Sequence, residues 1–330
     1  MSTAALDRLL AVLLVAQLAT GLLTLRSGVP ATAPLFWLHG LLGGALLVAA
    51  AEKLRRSVGP AVRQRRWRPL VVGGLLAALV GVALAGGFAW VASGRILTIG
   101  PFTVLTLHVI AALAIVPIVA LHLLPRRWRL VRLPAGHGPR MSRRTLLGLG
   151  LVTMLGAAAW GAANLADRLR GGVRRFTGSR WLPEGGIPPP TTFYGEPAPS
   201  IDGDAWRLRV HGRVERELTL DRPGLEAIGV VERSATLDCT GGWVMTTGWR
   251  GVPLRALLEA AGARPIHFVN VRSVTGWMVP LERHELDEAM LATGVAGVDL
   301  PTGNGAPCRL VVPTRRGFDW VKWVAEIEVA

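Results

Sequence analysis

Residues 96–125, ILTIGPFTVLTLHVIAALAIVPIVALHLLP, form the stretch that decides the fold, because they contain no Asp, Glu, Lys or Arg. A helix rises ~1.5 Å per residue, so this stretch is long enough to cross about 30 Å of hydrocarbon. Four further stretches are also uncharged and of about this length, at residues 9–25, 27–51, 69–94 and 145–166. The sequence therefore predicts five transmembrane helices.

The charge distribution agrees and excludes a nucleic-acid-binding protein. The 330 residues have a formal net charge of +15. Residues 1–180 carry 22 Lys/Arg and 3 Asp/Glu, whereas residues 181–330 carry 15 and 19. The positive excess thus lies in the apolar half, in bursts between uncharged runs, whereas a nucleic-acid-binding protein needs it on a soluble face.

The basic bursts also predict the orientation of the helices. Fourteen Lys/Arg residues lie in the connections 52–68 and 126–144, and the alternate connections hold only Arg26 and Arg95. Short basic connections stay on the cytoplasmic side. We therefore expect a multi-pass protein of the bacterial cytoplasmic membrane whose N-terminus is cytoplasmic and whose C-terminal region is extracytoplasmic.

A second orientation signal precedes helix 5. Residues 142–147, SRRTLL, resemble a twin-arginine export signal, which serves proteins that take up a cofactor before they cross the membrane. Two arginines before a helix also fit ordinary positive-inside residues. Because four helices precede helix 5, we expect it to be a retained anchor.

Two histidines lie at similar depth in the outer half of the predicted membrane region. His39 follows Pro34 by five residues in helix 2, and His108 follows Pro101 by seven residues in helix 4. A polar ring inside a bilayer is costly without a partner, so each marks a candidate functional site. The two imidazoles are predicted to ligate one b-type haem from opposite faces. The alternative is that they hydrogen-bond between the helices of a simple anchor.

The candidate for a second haem ligand is His122, 14 residues after His108. This spacing returns to nearly the same helix face after a rise of ~21 Å. It resembles the di-haem cytochrome b proteins built on four helices. Those proteins would have a histidine 14 residues after His39, where this chain has Lys53, so the second haem is doubtful.

The C-terminal region has the pattern of a soluble α+β domain. An Arg-, Gly- and Pro-rich linker at 167–200 is followed by alternating apolar and polar residues at 206–211, typical of a strand. The sequence predicts short helices at 222–228, 253–261 and 281–291 and strands at 235–239, 266–273 and 308–312. The predicted domains are a four-helix membrane domain at 1–135, a segment with the fifth helix at 136–180, and an α+β domain at 181–330.

The candidate reactive residue of that domain is Cys239, in the segment TLDCTGGW at 236–243. Its thiolate follows a predicted strand, where the chain turns through two glycines. Such a thiolate could bind a soft metal, act as a nucleophile or pair with Cys308, and spacing alone does not decide between these roles.

A resemblance decides more. The segments 206–214, 237–243, 249–258 and 303–313, the last followed by Gly317 and 321–323, are similar in sequence and order to the molybdenum-cofactor domain of the sulfite oxidase family. The resemblance covers about residues 190–330. Within the family it is greatest to the bacterial periplasmic catalytic subunit that repairs methionine sulfoxide, whose Asn-Asn-Phe-Tyr motif is Thr-Thr-Phe-Tyr at 191–194 here.

The resemblance implies a molybdopterin cofactor with Cys239 as the one protein ligand to molybdenum. It implies cofactor contacts from the following residues: Lys322, Arg315, Gly317, Thr240, Thr192 and Tyr194. Where sulfite oxidases have basic residues that hold an anionic substrate, this chain has 240–243, TGGW, and Asp319-Trp320. Sulfite is therefore not the expected substrate.

Together these observations predict a membrane-bound molybdenum oxidoreductase that carries out extracytoplasmic oxygen-atom transfer or related two-electron chemistry. Its expected partners are membrane lipid, the quinone pool or a soluble electron carrier, and a small or methionine sulfoxide-like substrate. One alternative is a haem-free tethered molybdoenzyme that uses a soluble carrier. Another is a cofactor-free binding module on the same fold.

Overall fold

The structure is a computed structural model that describes residues 1–64, 67–123, 142–192, 197–263 and 267–330. By their mutual contacts these residues divide into two units. The first consists of Met1–Thr24 and Ala31–Gly178, and the second of Leu25–Pro30 and Ser179–Ala330.

The first unit is helical. Within the described residues, five helices are long and apolar enough to cross a membrane. They are α1 (Thr3–Arg26), α2 (Ala33–Arg63), α3 (Trp67–Ala92), α4 (Val104–Leu123) and α5 (Arg143–Leu169). The short strands β1 (Thr98–Ile99) and β2 (Phe102–Thr103) pair between α3 and α4. The five predicted spans each correspond to one of these helices.

Small residues let the helices approach closely. A side chain on Gly44 of α2 would lie 2.1 Å from the carbonyl oxygen of Gly156 of α5, so the two backbones touch at this crossing. Around it, the core of the unit comes from all five helices and includes Leu6, Leu13, Leu46, Ala49, Leu84, Ile115 and Val152.

The second unit is α+β, as predicted. Its strands are β3 (Arg180–Trp181), β4 (Leu208–Gly212), β5 (Leu218–Leu220), β6 (Val231–Asp238), β7 (Trp243–Pro253), β8 (Phe268–Ser273), β9 (Met278–Glu282), β10 (Met290–Val295), β11 (Val298–Asp299), β12 (Arg309–Val311) and β13 (Val324–Val329). Its helices are α6 (Arg222–Glu226) and α7 (Leu254–Ala260).

The described strands of the second unit form two sheets. One has the order β11-β10-β7-β3, with β12 paired to β10 and β6 paired to β7. The other has the order β5-β4-β13-β8-β9, in which β13 and β4 are parallel. Alternation predicted β4 correctly, since Leu208 and Val210 are fully buried and Arg209 is exposed.

The helix predicted at 281–291 is wrong. The structure has the end of β9, a single 3-10 turn at Arg283–Glu285 and the start of β10. Buried Leu281, Leu286 and Ala289 have a spacing that imitates one helix face. They are instead contributed by a strand, a turn and the approach to the next strand.

Candidate molybdenum and haem sites

Cys239 lies in the four-residue connection between antiparallel strands β6 and β7. Its amide donates a hydrogen bond to the carbonyl of Trp243 at 2.9 Å, and its carbonyl accepts one from the amide of Gly242 at 2.9 Å. Gly242 has φ +99°, which favours glycine. The turn therefore fixes the position of the Cys239 backbone, and the Gly241 amide points at Sγ from 3.3 Å.

The surroundings of Cys239 act on its thiol in opposing ways. Burial raises the pKa of the thiol, while the Gly241 amide and the positive charges of Arg316 and Lys322 act to lower it. Because burial prevails, the thiol holds its proton until something more strongly attracting than these groups arrives. A bound metal ion does this, since coordination deprotonates a thiol outright.

Lys322, predicted to contact the cofactor, lies at this site. Its Nζ donates to the carbonyl of Thr191 at 2.9 Å and to that of Gly303 at 2.6 Å. Thr191 also accepts a hydrogen bond from the indole of Trp243 at 3.1 Å. Hydrogen bonds thus join three segments near Cys239: the linker at Thr191, the last motif at Gly303 and Lys322, and the start of β7 at Trp243.

Arg309 is the important site residue that the sequence analysis missed. It is 4% exposed and stacks against Trp249 and Trp320, with Cζ 5.5 and 5.9 Å from the ring centroids. Its Nη1 donates to the carbonyl of Asn304 at 2.9 Å, and its buried Nε has no hydrogen-bond partner among the described residues. Burial lowers the pKa of Arg309 to about 10, opposed by the charge of Cys239. One feature of the sequence could have identified Arg309: it is an arginine at the first position of an otherwise apolar strand.

These residues fit the anionic molybdenum cofactor that the sequence implies. A buried guanidinium with an unpaired N–H is costly, and an anion supplies the missing charge and acceptor. Among the described residues no three His, Cys, Asp or Glu side chains cluster as a metal site. This donor set, one thiol beside two cations, suits a metal whose other ligands belong to the cofactor.

Gly317, a predicted cofactor contact, lies directly behind Cys239. A Cβ at this position would be 2.9 Å from Cδ1 of Leu237, 3.3 Å from the carbonyl oxygen of Asp238 and 3.4 Å from Cα of Cys239. Its role in the structure is therefore to allow the 314–319 segment to pack against the cysteine turn.

Arg315, another predicted contact, is engaged by two carboxylates. Its Nε bonds Glu285 Oε1 at 2.5 Å and its Nη1 bonds Asp319 Oδ2 at 3.3 Å. Its neighbour Arg316 is the arginine that reaches the cysteine, through a hydrogen bond from Nη2 to the Cys239 carbonyl at 3.2 Å. The structure thus brings Arg316, and not Arg315, to Cys239.

The other predicted cofactor contacts are Thr240, Thr192 and Tyr194, and the structure describes the first two. Thr240 is in the Cys239 turn, and Thr192 follows Thr191, whose carbonyl accepts a hydrogen bond from Lys322. Tyr194 lies outside the described residues. Cys308 is fully buried, and both cysteines are free thiols, so they form no disulfide with each other.

In the first unit, the structure brings His39 of α2 and His108 of α4 together. Their ring centroids are 6.1 Å apart and their planes are at 89°. Glycines make room on both sides: a Cβ on Gly21 would be 3.3 Å from His39, and one on Gly87 would be 3.2 Å from His108. The depth argument from the sequence thus predicted their proximity correctly.

Hydrogen bonds fix the same nitrogen on both rings. His108 Nδ1 lies 2.6 Å from the carbonyl oxygen of Ala83, so it must donate. His39 Nδ1 lies 2.9 Å from the hydroxyl of Thr20, which itself donates to the carbonyl of Ala16, so His39 Nδ1 is also the donor. Each Nε2 then carries a lone pair. Histidines that ligate a metal through one ring nitrogen usually donate a hydrogen bond of this kind from the other.

The predicted second haem position, at His122, lacks a matching histidine on α2. His122 lies in the last turn of α4, and its side chain is outside the described residues. On α2 the corresponding residue Lys53 forms an ion pair with Asp7 of α1, Nζ to Oδ1 at 2.5 Å. In the described residues this position therefore holds an ion pair instead of a ligand.

Comparison with known proteins identifies the C-terminal region. Residues 195–330 match the family described as oxidoreductase molybdopterin binding domain. The crystal structure of the sulfane dehydrogenase SoxCD from Paracoccus pantotrophus is 26% identical, over 40% of this chain and 40% of that chain, with a TM-score of 0.38. The chain therefore spans less than half of that protein's length. The family match confirms the predicted molybdopterin-binding domain and the predicted enzyme class, a molybdopterin-dependent oxidoreductase.

Proposed function

We propose that this protein is a membrane-bound molybdenum oxidoreductase that works outside the cytoplasm and exchanges electrons with the quinone pool through a b-type haem. The observation that carries the proposal is the Cys239 thiol beside buried Arg309, whose Nε has no hydrogen-bond partner in the described part of the chain, within a matched molybdopterin-binding region. A buried cation next to a metal-binding thiol is the arrangement that an anionic metal cofactor requires.

When bound, the cofactor supplies oxygen-atom transfer and the storage of two electrons. The chain's own residues hold and shape the site. Cys239 would lose its proton and hold the metal through Sγ, and Arg309 and Lys322 would hold the anionic part of the cofactor. Trp249 and Trp320 stack on the Arg309 guanidinium and shield it from water.

The charges near Cys239 favour a neutral substrate. Arg315 is neutralised by Glu285 and Asp319, which leaves it poorly suited to bind a free anion. Asp319 is fully buried at a position where sulfite oxidases are expected to be basic. A sulfoxide of the methionine sulfoxide type fits these charges better than sulfite does.

The histidine pair supports an electron path in the membrane unit. His39 and His108, whose ring centroids are 6.1 Å apart, would hold the haem iron through their Nε2 atoms. The Gln17 amide nitrogen is 3.3 Å from His39 Nε2 and would have to turn away. When bound there, a haem supplies one-electron transfer.

The proposed orientation of the helices in the membrane is inferred from the positively charged residues that flank them. Arg143 and Arg144 begin α5 after a connection that carries further arginines, and Lys53, Arg55 and Arg56 follow the membrane part of α2. Both groups are predicted to stay in the cytoplasm. The α+β unit that follows α5 is then extracytoplasmic.

Metal and haem analysis of the purified full chain tests the proposal. We expect molybdenum in near-stoichiometric amount and a b-type absorption band on reduction. Molybdenum without haem would support instead the tethered enzyme that uses a soluble carrier. Absence of both would leave the cofactor-free binding module.

A further inference from the structure

Within the first unit, residues 170–178 follow α5 and fold back onto the helices; we call them the cap segment. The ring of Phe176 packs edge to face on that of Phe36 in α2, with centroids 5.7 Å apart and planes at 81°. The indole of Trp90 in α3, which is 2% exposed, donates a hydrogen bond to the carbonyl of Gly178 at 3.0 Å. The cap segment therefore contacts α2 near its first residue and α3 near its last.

These contacts lie one helical turn from the histidine pair. Phe36 precedes His39 by three residues, and residues three apart on a helix share a face. Trp90 follows Gly87 by three residues, and a Cβ on Gly87 would be 3.2 Å from His108. The rings of Phe36 and Trp90 thus lie between the cap segment and the level of the histidine pair.

A buried carboxylate fixes the start of the cap segment. Asp167 of α5 is 2% exposed, and among its partners is Arg174 of the cap segment, whose Nε donates to Oδ2 at 2.7 Å. The amide of Gly94, just after α3, donates to Oδ1 of the same carboxylate at 3.0 Å. Arg174 Nη2 also donates to Asn164 Oδ1 at 2.9 Å. Bonds that do not involve the aromatic rings therefore hold the cap segment to α5 and to the end of α3.

The cap segment has an inner and an outer face. Thr177, next to Phe176, is 7% exposed, whereas Val173 is 68% exposed. The inner face is thus packed on the helices like a protein interior, and the outer face is open. This contrast supplies a matched control within one short segment.

We propose that the cap segment closes the histidine site on this side, and that Phe176 and Trp90 keep water from the haem and raise its reduction potential. The cap rests on the proposed function, in which His39 and His108 hold a haem. The apolar shell of a metal site controls solvent access and local dielectric, and hence the potential. Reduction lowers the positive charge of the iron, and surroundings of low dielectric disfavour the more highly charged state. Phe176 and Trp90 act through these surroundings and supply no ligand.

The first test is a redox titration of the b-type absorption band in the purified full chain, with haem content measured on the same samples. Phe176→Ala removes the ring above Phe36 and admits water, so we expect a lowered potential. Phe176→Leu keeps an apolar side chain of similar size and should restore the wild-type potential. Trp90→Phe keeps a ring but loses the bond to Gly178, so its shift should be smaller and of the same sign. Val173→Ala, on the outer face, should leave the potential unchanged.

The second test measures the position of the cap segment without using haem. Thr177→Cys and Val173→Cys are each treated with a water-soluble maleimide in the full chain, and the chain without an introduced cysteine gives the background from Cys239 and Cys308. We expect fast reaction at position 173 and slow reaction at position 177. Asp167→Asn removes the buried charge that fixes the segment, and it should speed the reaction at position 177.

The outcomes separate the cap from the proposed haem. Equal reaction rates at positions 173 and 177 would overturn the cap alone. An unchanged potential in Phe176→Ala, whether or not its haem content falls, would also overturn it, because a merely structural role would leave the potential of the remaining haem as it is. A wild-type chain that holds no haem would overturn the haem of the proposed function and this proposal with it, even where position 177 stays protected from the maleimide.

Discussion

The two units of this protein prepare their candidate sites in opposite ways. In the membrane unit the site consists of two neutral imidazoles, His39 and His108, whose Nδ1 atoms are held by a hydroxyl and a carbonyl. In the α+β unit the site is surrounded by buried charges, among them Arg309, Arg316 and Asp238.

The difference follows from the ligands that each site is proposed to take. Haem iron needs two neutral nitrogen atoms with free lone pairs, and a bilayer penalises any charge placed beside them. An anionic cofactor needs compensating cations, and a protein interior tolerates them when hydrogen bonds and counter-charges are arranged around them. Uncharged polar groups thus prepare one site, and paired or partly paired charges prepare the other.

The largest expected effect is on the α+β unit alone. Cys239→Ser should reduce turnover to background, because the harder hydroxyl is a poor replacement for a thiolate ligand to a soft metal. The pterin should remain largely bound, since Arg309 and Lys322 are unchanged. Turnover with an artificial electron donor and the pterin content of the purified protein measure this. Cys308→Ala is the matched control and should keep activity; an active Cys239→Ser enzyme would remove the metal-ligand assignment.

The next largest effect is expected from a substitution in the membrane unit that leaves the α+β unit unchanged. His108→Leu replaces the ring with an apolar side chain, and we expect loss of the b-type absorption band and of quinol-driven turnover. Turnover with an artificial donor should persist, because the molybdenum site is untouched. His284→Ala, at a 72% exposed position of the other unit, should change none of these. Full haem content in His108→Leu would exclude this histidine as a ligand.

The sequence predicted the membrane unit better than the α+β unit. Runs of residues without charge locate the helices. The positions of His39 and His108 along their helices predicted a similar depth, and in the structure the two rings lie close together. Both are local signals, since a membrane helix has one axis and its residues have a defined depth. Thr20 and Ala83, which fix the tautomers, could not be predicted because nothing local distinguishes them.

In the α+β unit, the sequence predicted Cys239 and Lys322 through motifs, and it did not single out Arg309 or Arg316. Adjacent residues of a turn point in different directions, and only tertiary structure decides which one reaches Cys239. Likewise Asp238 and Arg316 are 78 residues apart. Long-range ion pairs of this kind leave no periodic pattern in a sequence.

A smaller effect tests how tightly the α+β unit positions its ligand. In Gly317→Ala the new methyl group would lie 3.4 Å from Cys239 Cα and 2.9 Å from Leu237, so the turn must shift by a few tenths of an ångström. A misplacement of 1 Å can cost about 100-fold in rate, so we expect kcat to fall by roughly tenfold with KM little changed. Gly248→Ala in β7 has nothing within 4 Å and is the control. Equal activity of the two variants would mean that the turn is more tolerant than its packing indicates.

The smallest expected effect concerns stability and not turnover. Burial alone would raise the pKa of Glu285, but the hydrogen bonds from Arg315 and from the Glu282 amide outweigh it and lower the pKa. A lowered carboxyl pKa stabilises the folded state above the ordinary value near 4.5, and this stabilisation is lost as the pH falls through the folded-state pKa. Glu285→Gln should therefore lower the free energy of unfolding at neutral pH by about 1–3 kcal/mol, and the difference from wild type should shrink below about pH 4.5.

Hydrogen exchange of the α+β unit in the full chain, followed across this pH range, measures the difference. Glu217→Gln is the control, because Glu217 forms a surface pair with Arg209 at 3.5 Å, 61% exposed, and such pairs contribute about 0–1 kcal/mol. Turnover at neutral pH should be close to wild type in both variants, since Glu285 acts on Arg315 and not on Cys239. If Glu285→Gln were as stable as Glu217→Gln at every pH, the Arg315 pair would be no more stabilising than a surface pair. Arg315 would then be free to exchange its carboxylates for an anionic ligand, and the proposal of a neutral substrate would lose its support.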